Sequence, residues 1–355
     1  MDAMLTMIKL GKKIFIKKVP VSSPRLLDVA RYARVSPATV SRVLNNTGPV
    51  NAKTRERVLE AMTTLGYNEN GAKTLIALLI TDILNPFFSE LVQAVEDEIE
   101  DSGFGLMLFN ASEETQREQK ALRSLASWSV KGIISCTWHT STDDLIALHA
   151  TNNTPLVVIN RRIDHPEIPC IVVDFKDAMY RATRHLLGLH HKRIAYLSGY
   201  GSSETSRVRR NGIELALAEV GLQLPPEWCP TSFPSIEGGF QAMSALLDLV
   251  KDKRPTAVIA YNDLMAIGAL QAIRIHGLHV PTDISVVGCD GIAMTAHSNP
   301  PLTTIDQPKY RMGQMAIQTV RQMLEDQEMF RGGYTLLESR LVIRESTGPC
   351  TNPDV

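Results

Sequence analysis

The sequence predicts a small all-α head of the helix-turn-helix kind, followed by an α/β core of two lobes built on parallel sheets. Three observations carry this. Residues 24–65 place apolar side chains at helical spacing in three short runs, each with a capping residue ahead of it. From Leu75 onward, short apolar runs alternate with amphipathic stretches, and the alternation occurs as two series. Charge is divided along the chain: residues 1–73 hold seven Lys and six Arg against five acidic residues, a net +8, whereas the other 282 residues carry 24 basic and 33 acidic side chains, a net −9. A basic head on an acidic body points to a polyanionic partner for the head alone.

Composition narrows the classes. A chain of 355 residues suggests two or three domains, and 44% hydrophobic with 21% charged residues is globular rather than disordered. No apolar run approaches the ~20 residues of a bilayer span. Ile14, Phe15 and Ile16 are boxed in by Lys12, Lys13, Lys17 and Lys18, too short a run for a secretory signal. The five cysteines at 136, 170, 229, 289 and 350 are far apart and form no CxxC. A disulfide framework or a Cys-rich zinc site is thus a poor reading, and a reducing cytoplasm fits.

In the head, Leu26, Val29, Ala30 and Ala33 recur at helical spacing behind Ser23 and Pro24. After the break at Arg34-Val35, Ser36 caps a second helix that opens on Pro37. Its Val40, Val43 and Leu44 share one face. Ala38, Thr39, Ser41, Arg42 and Asn45 lie elsewhere and are small or polar. A slim helix with such a face can enter a major groove, where Arg42 donates to guanine and Thr39 or Ser41 to phosphate. A plain helical hairpin would need neither the small outer face nor the positive charge. A third helix, capped by Asn51, buries Val58, Ala61, Met62 and Leu65 and ends at Gly66.

In the body, strands are expected at 75–80, 105–110, 132–136 and 155–160, with helices at 86–103, 113–127 and 142–151. A second series has strands at 171–174, 193–198, 256–261 and 284–290, with helices ending near 190, 220 and 276. Two such series argue for two lobes and a cleft, and ligands bind such sheets at the carboxyl ends of strands. Asn85, Phe87 and Phe88 follow the first strand. Asn160, Arg161 and Arg162 follow the fourth; Thr205, Arg207 and Arg209 lie beyond the sixth; Asn262, Asp263 and Asp290 end the last two. Carboxylates that accept hydroxyl hydrogens, guanidinium forks and aromatic faces are what a polar small molecule needs. Each alone reads better as a cap or loop residue; their recurrence favours a site.

Nothing matches an enzyme. There is no GxSxG, Walker A loop or helix-opening GxGxxG, and no cofactor is expected. His185, His190 and His191 lack further ligands and suit a helix end better than a metal. Cys136 and Cys289 read as core or cleft wall.

The run LLDVARYARVSPATVSRVLNNTGPVNAKTRERVLEAMTTLGY resembles the DNA-binding head of the lactose-repressor family of bacterial transcription regulators, and the likeness continues to LVIRESTGPC at 341–350. Residues 1–23 lie outside it as a basic extension. The resemblance implies a head at 24–67, a linker at 68–74 and an effector-binding core at 75–348, similar to periplasmic sugar-binding proteins. It further implies lobe crossings near 162, 308 and 329, giving a first lobe of about 75–162 and 308–328 and a second of about 163–307 and 329–346. On the family pattern, DNA contacts fall on Arg25, Ser36, Ala38, Thr39, Ser41, Arg42 and Asn45. SETSRVRRNG places Thr205 and Arg209 in the effector clamp, VVGCDG supplies Asp290, AYND supplies Asn262, and NPFF supplies Phe87 and Phe88. Asn160, Arg161 and Phe233 complete the expected effector set. The implied function is a cytoplasmic, homodimeric transcriptional regulator, a repressor of operator DNA controlled by a sugar or nucleoside, without a membrane partner or an added tetramerisation helix.

One departure stands out. Members carry a linker of the type PNxxARxL, whose leucine wedges into the minor groove. Here Tyr67 is followed by NENGAKT and then Leu75, about half the usual spacing, without the Pro, the Ala-Arg pair or the wedge leucine. Wedge insertion trades unstacking energy for a bent duplex. The short linker therefore leaves open a second reading, a ligand-binding relative with weakened specific DNA binding.

Overall fold

The computed structural model describes residues 6–10, 13–17, 26–44, 47–65 and 74–351, apart from short stretches at 101, 113, 129, 200–203, 250–253 and 326–331. Two units emerge, Met1–Thr74 and Leu75–Val355.

The first unit opens with an antiparallel pair, β1 (Thr6–Leu10) and β2 (Lys13–Lys17), a hairpin the sequence reading did not foresee. Three helices follow: α1 (Leu26–Tyr32), α2 (Pro37–Leu44) and α3 (Ala52–Leu65). Val29, Ala30, Ala33, Val40, Val43, Val58 and Ala61 form their common core. The α1–α2 turn is tight because Arg34 takes a left-handed conformation at φ 52° and Val35 N–H returns to Ala30 O at 2.9 Å. The carbonyls at the end of α1 would otherwise lack donors. The Arg57 guanidinium on α3 donates to Ala33 O and Arg34 O, so the third helix locks the turn. Ser36 Oγ accepts from Thr39 N–H at 3.2 Å and Asn51 Oδ1 from Thr54 N–H at 2.8 Å, the two caps expected from the sequence. The linker lies outside the described residues.

The second unit holds two sheets. Its first part runs β3 (Thr74–Ile80), α4 (Pro86–Ile99), β4 (Phe104–Asn110), α5 (Thr115–Ser127), β5 (Gly132–Cys136), α6 (Thr142–Asn152), β6 (Leu156–Ile159) and β7 (Pro169–Val173). There follow α7 (Phe175–Gly188), β8 (Ile194–Leu197), α8 (Glu204–Ala218), α9 (Ile236–Leu249), β9 (Ala257–Ala260), α10 (Asp263–Ile275) and β10 (Ser285–Asp290). The chain closes with β11 (Thr303–Asp306), α11 (Lys309–Glu325), β12 (Gly333–Leu337) and β13 (Arg340–Val342). One sheet has the order β12-β7-β6-β5-β3-β4, the other β13-β11-β10-β9-β8. The pairs β3–β5, β5–β6, β6–β7, β7–β12, β8–β9, β9–β10 and β10–β11 are parallel, and β13 joins β11 antiparallel at an edge. Helices cover the central strands, so β5 to β10 are buried on both faces and read as continuous apolar runs.

The lobe crossings need correction. The strand read as opening the second series is β7, and it pairs with β6 in the first sheet (Val158↔Cys170, Ile159↔Ile171). The chain therefore leaves the first sheet after Val173, not near 162. Residues 160–168 join two neighbouring parallel strands without a helix, so the strand–helix alternation gave no sign of it. Likewise β12 completes the first sheet beside β7, and the last crossing falls between Leu337 and Arg340 rather than near 329. The chain returns to the first lobe between β11 and α11, and α11 packs on α4 of that lobe. The helix α9 and the strands β11, β12 and β13 were not anticipated.

Candidate functional site

On the head, α2 turns Val40 and Val43 inward and leaves Ser36, Ala38 and Arg42 exposed, with Thr39 and Ser41 partly so. Ser36 Oγ and Thr39 Oγ1 lie 2.9 Å apart, so the two hydroxyls orient each other at the start of the helix. Thr47 N–H returns to Arg42 O at 3.1 Å, which closes the helix end that carries the guanidinium. One face thus offers a methyl, hydroxyls and a planar cation, the groups that read base edges and phosphates. Arg25 and Asn45 fall outside the described residues.

In the core, the cleft forms where strand ends from both sheets meet. Asn85 follows β3 and caps α4, its Oδ1 accepting from Phe87 N–H at 3.0 Å. Phe87 and Phe88, 3% exposed, pack edge to face with centroids 5.1 Å apart. Asn160 ends β6 in the left-handed conformation, φ 59°, which Asn tolerates. Asn262 caps α10 and donates from Nδ2 to Pro234 O at 3.0 Å. Together with Trp138, Arg209, Tyr261, Asp290 and Gln307 these side chains enclose a narrow centre with room for about 30 Å³. It adjoins, through the shared Trp138 and Asn160, a wider cavity of about 610 Å³ lined by Arg161, Asp174, Phe175, Glu204 and Thr205 among others.

Arg209 is the central group. Its guanidinium lies between the rings of Phe175 and Tyr261, at 4.3 and 4.1 Å from their centroids, and donates to Tyr261 O. The aromatic faces compensate part of the desolvation of a cation that is 3% exposed. Among the described residues its Nε–H has no partner, and neither has Asn160 Oδ1. An orphan donor and an orphan acceptor, both buried, line one cavity; each leaves a desolvation cost that a bound polar molecule relieves.

Asp290 binds across the lobes. It accepts from Gln307 Nε2 at 2.8 Å and from Asn85 Nδ2 at 3.4 Å. Burial raises its pKa, while Arg209, Asn85, Lys309 and Gln307 pull it back. Asp263 lies fully buried behind it, accepting from Thr304 Oγ1 at 2.5 Å and Ile292 N–H at 2.9 Å. Burial, then the charge of Asp290, raises the Asp263 pKa. Asp290 itself sits at φ 136°, where a side chain is strained. Lys309 holds that backbone: its Nζ donates to Asp290 O at 3.0 Å and Gly291 O at 2.9 Å, and to Asp306 Oδ1 at 3.2 Å. Gly291 admits no side chain, since a Cβ would stand 2.3 Å from Asp306 Oδ1.

Of the expected effector residues, Phe87, Phe88, Asn160, Arg209, Asn262 and Asp290 converge on the centre, and Arg161 and Thr205 line the wider cavity. Arg161 is occupied there, donating to Thr140 O and to Thr142 Oγ1 at 2.7 Å. Phe233 does not join them: it is 42% exposed, and Pro234 takes the cleft position beside it. Sequence reasoning missed Trp138, Phe175, Tyr261, Gln307 and Lys309. Trp138 lies two residues past β5 and Gln307 one past β11, so the strand-end rule finds the first at once and the second once β11 is known. Of the histidines, His185 Nε2 meets Thr347 Oγ1 at 3.0 Å and His191 meets Thr256 Oγ1 and Gly348 O at 3.0 and 2.9 Å. The His191 backbone closes the end of α7 on Leu186 O.

Comparison with known proteins agrees with this geometry. Residues 25–70 match the model of bacterial regulatory proteins of the lacI family. Residues 73–337 match that of periplasmic binding proteins and the sugar-binding domain of the LacI family. The HTH-type transcriptional repressor PurR of Aliivibrio fischeri strain MJ11 is 34% identical over 333 residues, 90% of this chain and 97% of its own length. The repressor CytR of Escherichia coli K12 is 32% identical over 329 residues, 90% and 95%. Among solved structures, a lac repressor dimer bound to operator and the anti-inducer ONPF superposes with a TM-score of 0.71 at 32% identity, over 92% of this chain and all of that one. A LacI family regulator from Enterococcus faecium with bound ribose gives 0.70 at 28%, over 78% of this chain and all of that one. With a helix-turn-helix unit followed along the sequence by a core that holds a polar cleft between two mainly parallel sheets, the chain belongs to the lacI family of bacterial transcriptional regulators.

Proposed function

We propose that this protein is a cytoplasmic repressor that binds operator DNA as a homodimer through α2 and takes a small polar effector, a sugar or a nucleoside, between its lobes. The observation that carries the effector reading is the pair of orphans, Arg209 Nε–H and Asn160 Oδ1, on the wall of one cavity. Asp290 adds a carboxylate for hydroxyl or ring N–H donors. Phe87, Phe88 and Trp138 add apolar faces for a sugar or base. Arg161 and Thr205 serve the wider mouth, and Phe233 borders the outside through Pro234. Ser36, Thr39 and Ser41 contact phosphates, Ala38 and Arg42 read base edges, and Arg25 and Asn45 flank them on the same reading.

The relatives support both halves. PurR and CytR are named repressors, and the solved neighbours include one bound to operator, one with ribose and one in complex with cellobiose. Two heads on a dimer would read half-sites about one helical turn apart. Among the described residues no helix is long and apolar enough to cross a membrane.

The test measures anisotropy of the full chain on its own upstream DNA and on a scrambled duplex, at two salt concentrations. A parallel thermal-shift screen covers monosaccharides, disaccharides, nucleosides and free bases. A preference for the native fragment, altered by the sugar or nucleoside that raises Tm, is expected. Equal, salt-sensitive binding to both duplexes would make the short linker the cause of lost specificity and favour the ligand-binding reading. Unchanged binding of the active compound by Arg209→Ala would overturn the assigned cleft.

A further inference from the structure

We propose that His149, His165 and Glu167 form a binding site for a divalent transition metal, with zinc the best chemical match, on the first lobe and separate from the effector cleft. The three side chains come from two elements that the sequence does not associate. His149 lies in the last turn of α6, whose end is turned by Asn153 in the left-handed conformation. His165 and Glu167 lie on the segment 160–168 that joins β6 to β7. One ligand atom from each residue lies within 4.8 Å of the others.

The hydrogen bonds around His149 point to a cation. This ring is 5% exposed, and its Nδ1 lies 2.8 Å from Thr154 O. A carbonyl oxygen only accepts, so Nδ1 carries the hydrogen. In a neutral imidazole Nε2 is then a lone pair, yet it faces Glu167 Oε2 at 3.3 Å. Two acceptors facing each other need a proton or a metal ion between them. A backbone carbonyl bonded to the far nitrogen is also the usual way a metal-binding His is oriented. The spacing suits zinc. Bonds of about 2.0–2.2 Å at the tetrahedral angle set neighbouring ligand atoms roughly 3.3–3.6 Å apart, the observed His149–Glu167 edge. His165 completes the set. Its ring stands 5.7 Å from that of His149, edge to face, and its Nδ1 accepts from Glu167 N–H at 3.2 Å, which holds the ring beside this residue.

Two imidazole nitrogens and one carboxylate oxygen match the borderline character of zinc, and leave a fourth position for water. The partly exposed His165 and exposed Glu167 provide the way in. The metal would fasten the end of α6 to the segment that carries Asn160 and Arg161 to the cleft. It would also bear on β12, because Gly332 N–H bonds Pro166 O in the same segment.

The alternative is a simple ion pair between protonated His149 and Glu167, and the test separates the two. The metal-free full chain is titrated with zinc chloride by calorimetry, beside His165→Ala, Glu167→Gln, the double variant and His185→Ala, each checked for fold by circular dichroism. One zinc per chain is expected in wild type and His185→Ala. The single variants should bind at least as much more weakly as the ~10–100-fold that loss of an outer partner costs, and zinc should raise Tm in wild type but not in the double variant. Glu167 is exposed, so Glu167→Gln reports even if His165→Ala fails to fold. Absence of a one-per-chain site in wild type, or its persistence in Glu167→Gln and in the double variant, overturns the proposal.

Discussion

Replacing Asp290 by Asn should trade effector affinity for stability at neutral pH. The carboxylate has two jobs that pull in opposite directions. Toward the cleft it is a buried charged acceptor, and removing such a partner costs a ligand about 1.5–3 kcal/mol, or roughly ten- to 150-fold in Kd. Toward the protein it is a like charge beside Asp263, and both pKa values are raised, chiefly by burial. The native chain therefore keeps protons that the unfolded chain releases near pH 4. A carboxyl raised in this way stabilises fully below its unfolded pKa and loses that contribution as pH climbs through its folded value. Each extra native proton makes unfolding free energy fall by about 1.4 kcal/mol per pH unit over that window. Asp290→Asn removes one titrating group and eases the ionisation of the other. It keeps an acceptor for Gln307 Nε2 and sets an amide against the more distant Asn85 Nδ2. Urea unfolding from pH 4.5 to 8 should show a flatter pH dependence and a gain over wild type at pH 8. Calorimetry with the compound from the effector screen should show the affinity loss. Wild-type affinity together with a wild-type pH slope would refute both roles.

Three further outcomes follow from other parts of the molecule. Arg42→Ala should cost about 1–3 kcal/mol on the native upstream fragment and less on a scrambled one, read by anisotropy, because a base contact is lost. Deleting residues 1–20, with their five lysines, should flatten the log–log salt dependence of DNA binding by about 0.9 for each phosphate contact removed; an unchanged slope means the extension stays off the DNA. Gly212→Ala should lower stability by about 1–3 kcal/mol in urea titration without altering effector contacts, since the new Cβ would stand 2.2 Å from Lys176 O where α8 crosses α7.

Legibility followed the range of the interactions. The head was readable because each of its determinants is local: Ser36 and Asn51 cap as their positions suggest, and Val40 and Val43 turn inward at helical spacing. In the core, strands buried on both faces announce themselves as apolar runs, and polar residues just past them reach the cleft. What failed was non-local. β12 reads GYTLL but is mostly exposed at a sheet edge, so no buried run marks it, and its place beside β7 depends on a chain excursion of about 160 residues. Phe175 and Tyr261 look like core aromatics, and only the fold shows that Arg209 lies between them. The His149–His165–Glu167 group was invisible for the same reason, whereas the adjacent histidines at 190 and 191 drew attention and turned out to serve a helix end.

The cleft also shows how a small molecule can govern this chain. The polar bonds that join the lobes at its centre are few and of unequal strength. Asn85 to Asp290 spans 3.4 Å and Asn160 to Gln307 spans 3.2 Å. Lys309, rooted in the first lobe, grips the Asp290 and Gly291 carbonyls of the second at 3.0 and 2.9 Å. The two weaker contacts come from side chains that also face the cavity, so a ligand competing for them changes how the lobes bind each other. The stronger one lies beside the crossing to α11. A ligand shifts such an equilibrium only by its difference in affinity for the two arrangements. Exchanging these two hydrogen bonds, one of them to a carboxylate, and filling two orphans falls in the ~1–3 kcal/mol range of allosteric couplings. That is enough to alter DNA affinity by roughly five- to 150-fold if the linker transmits it in full.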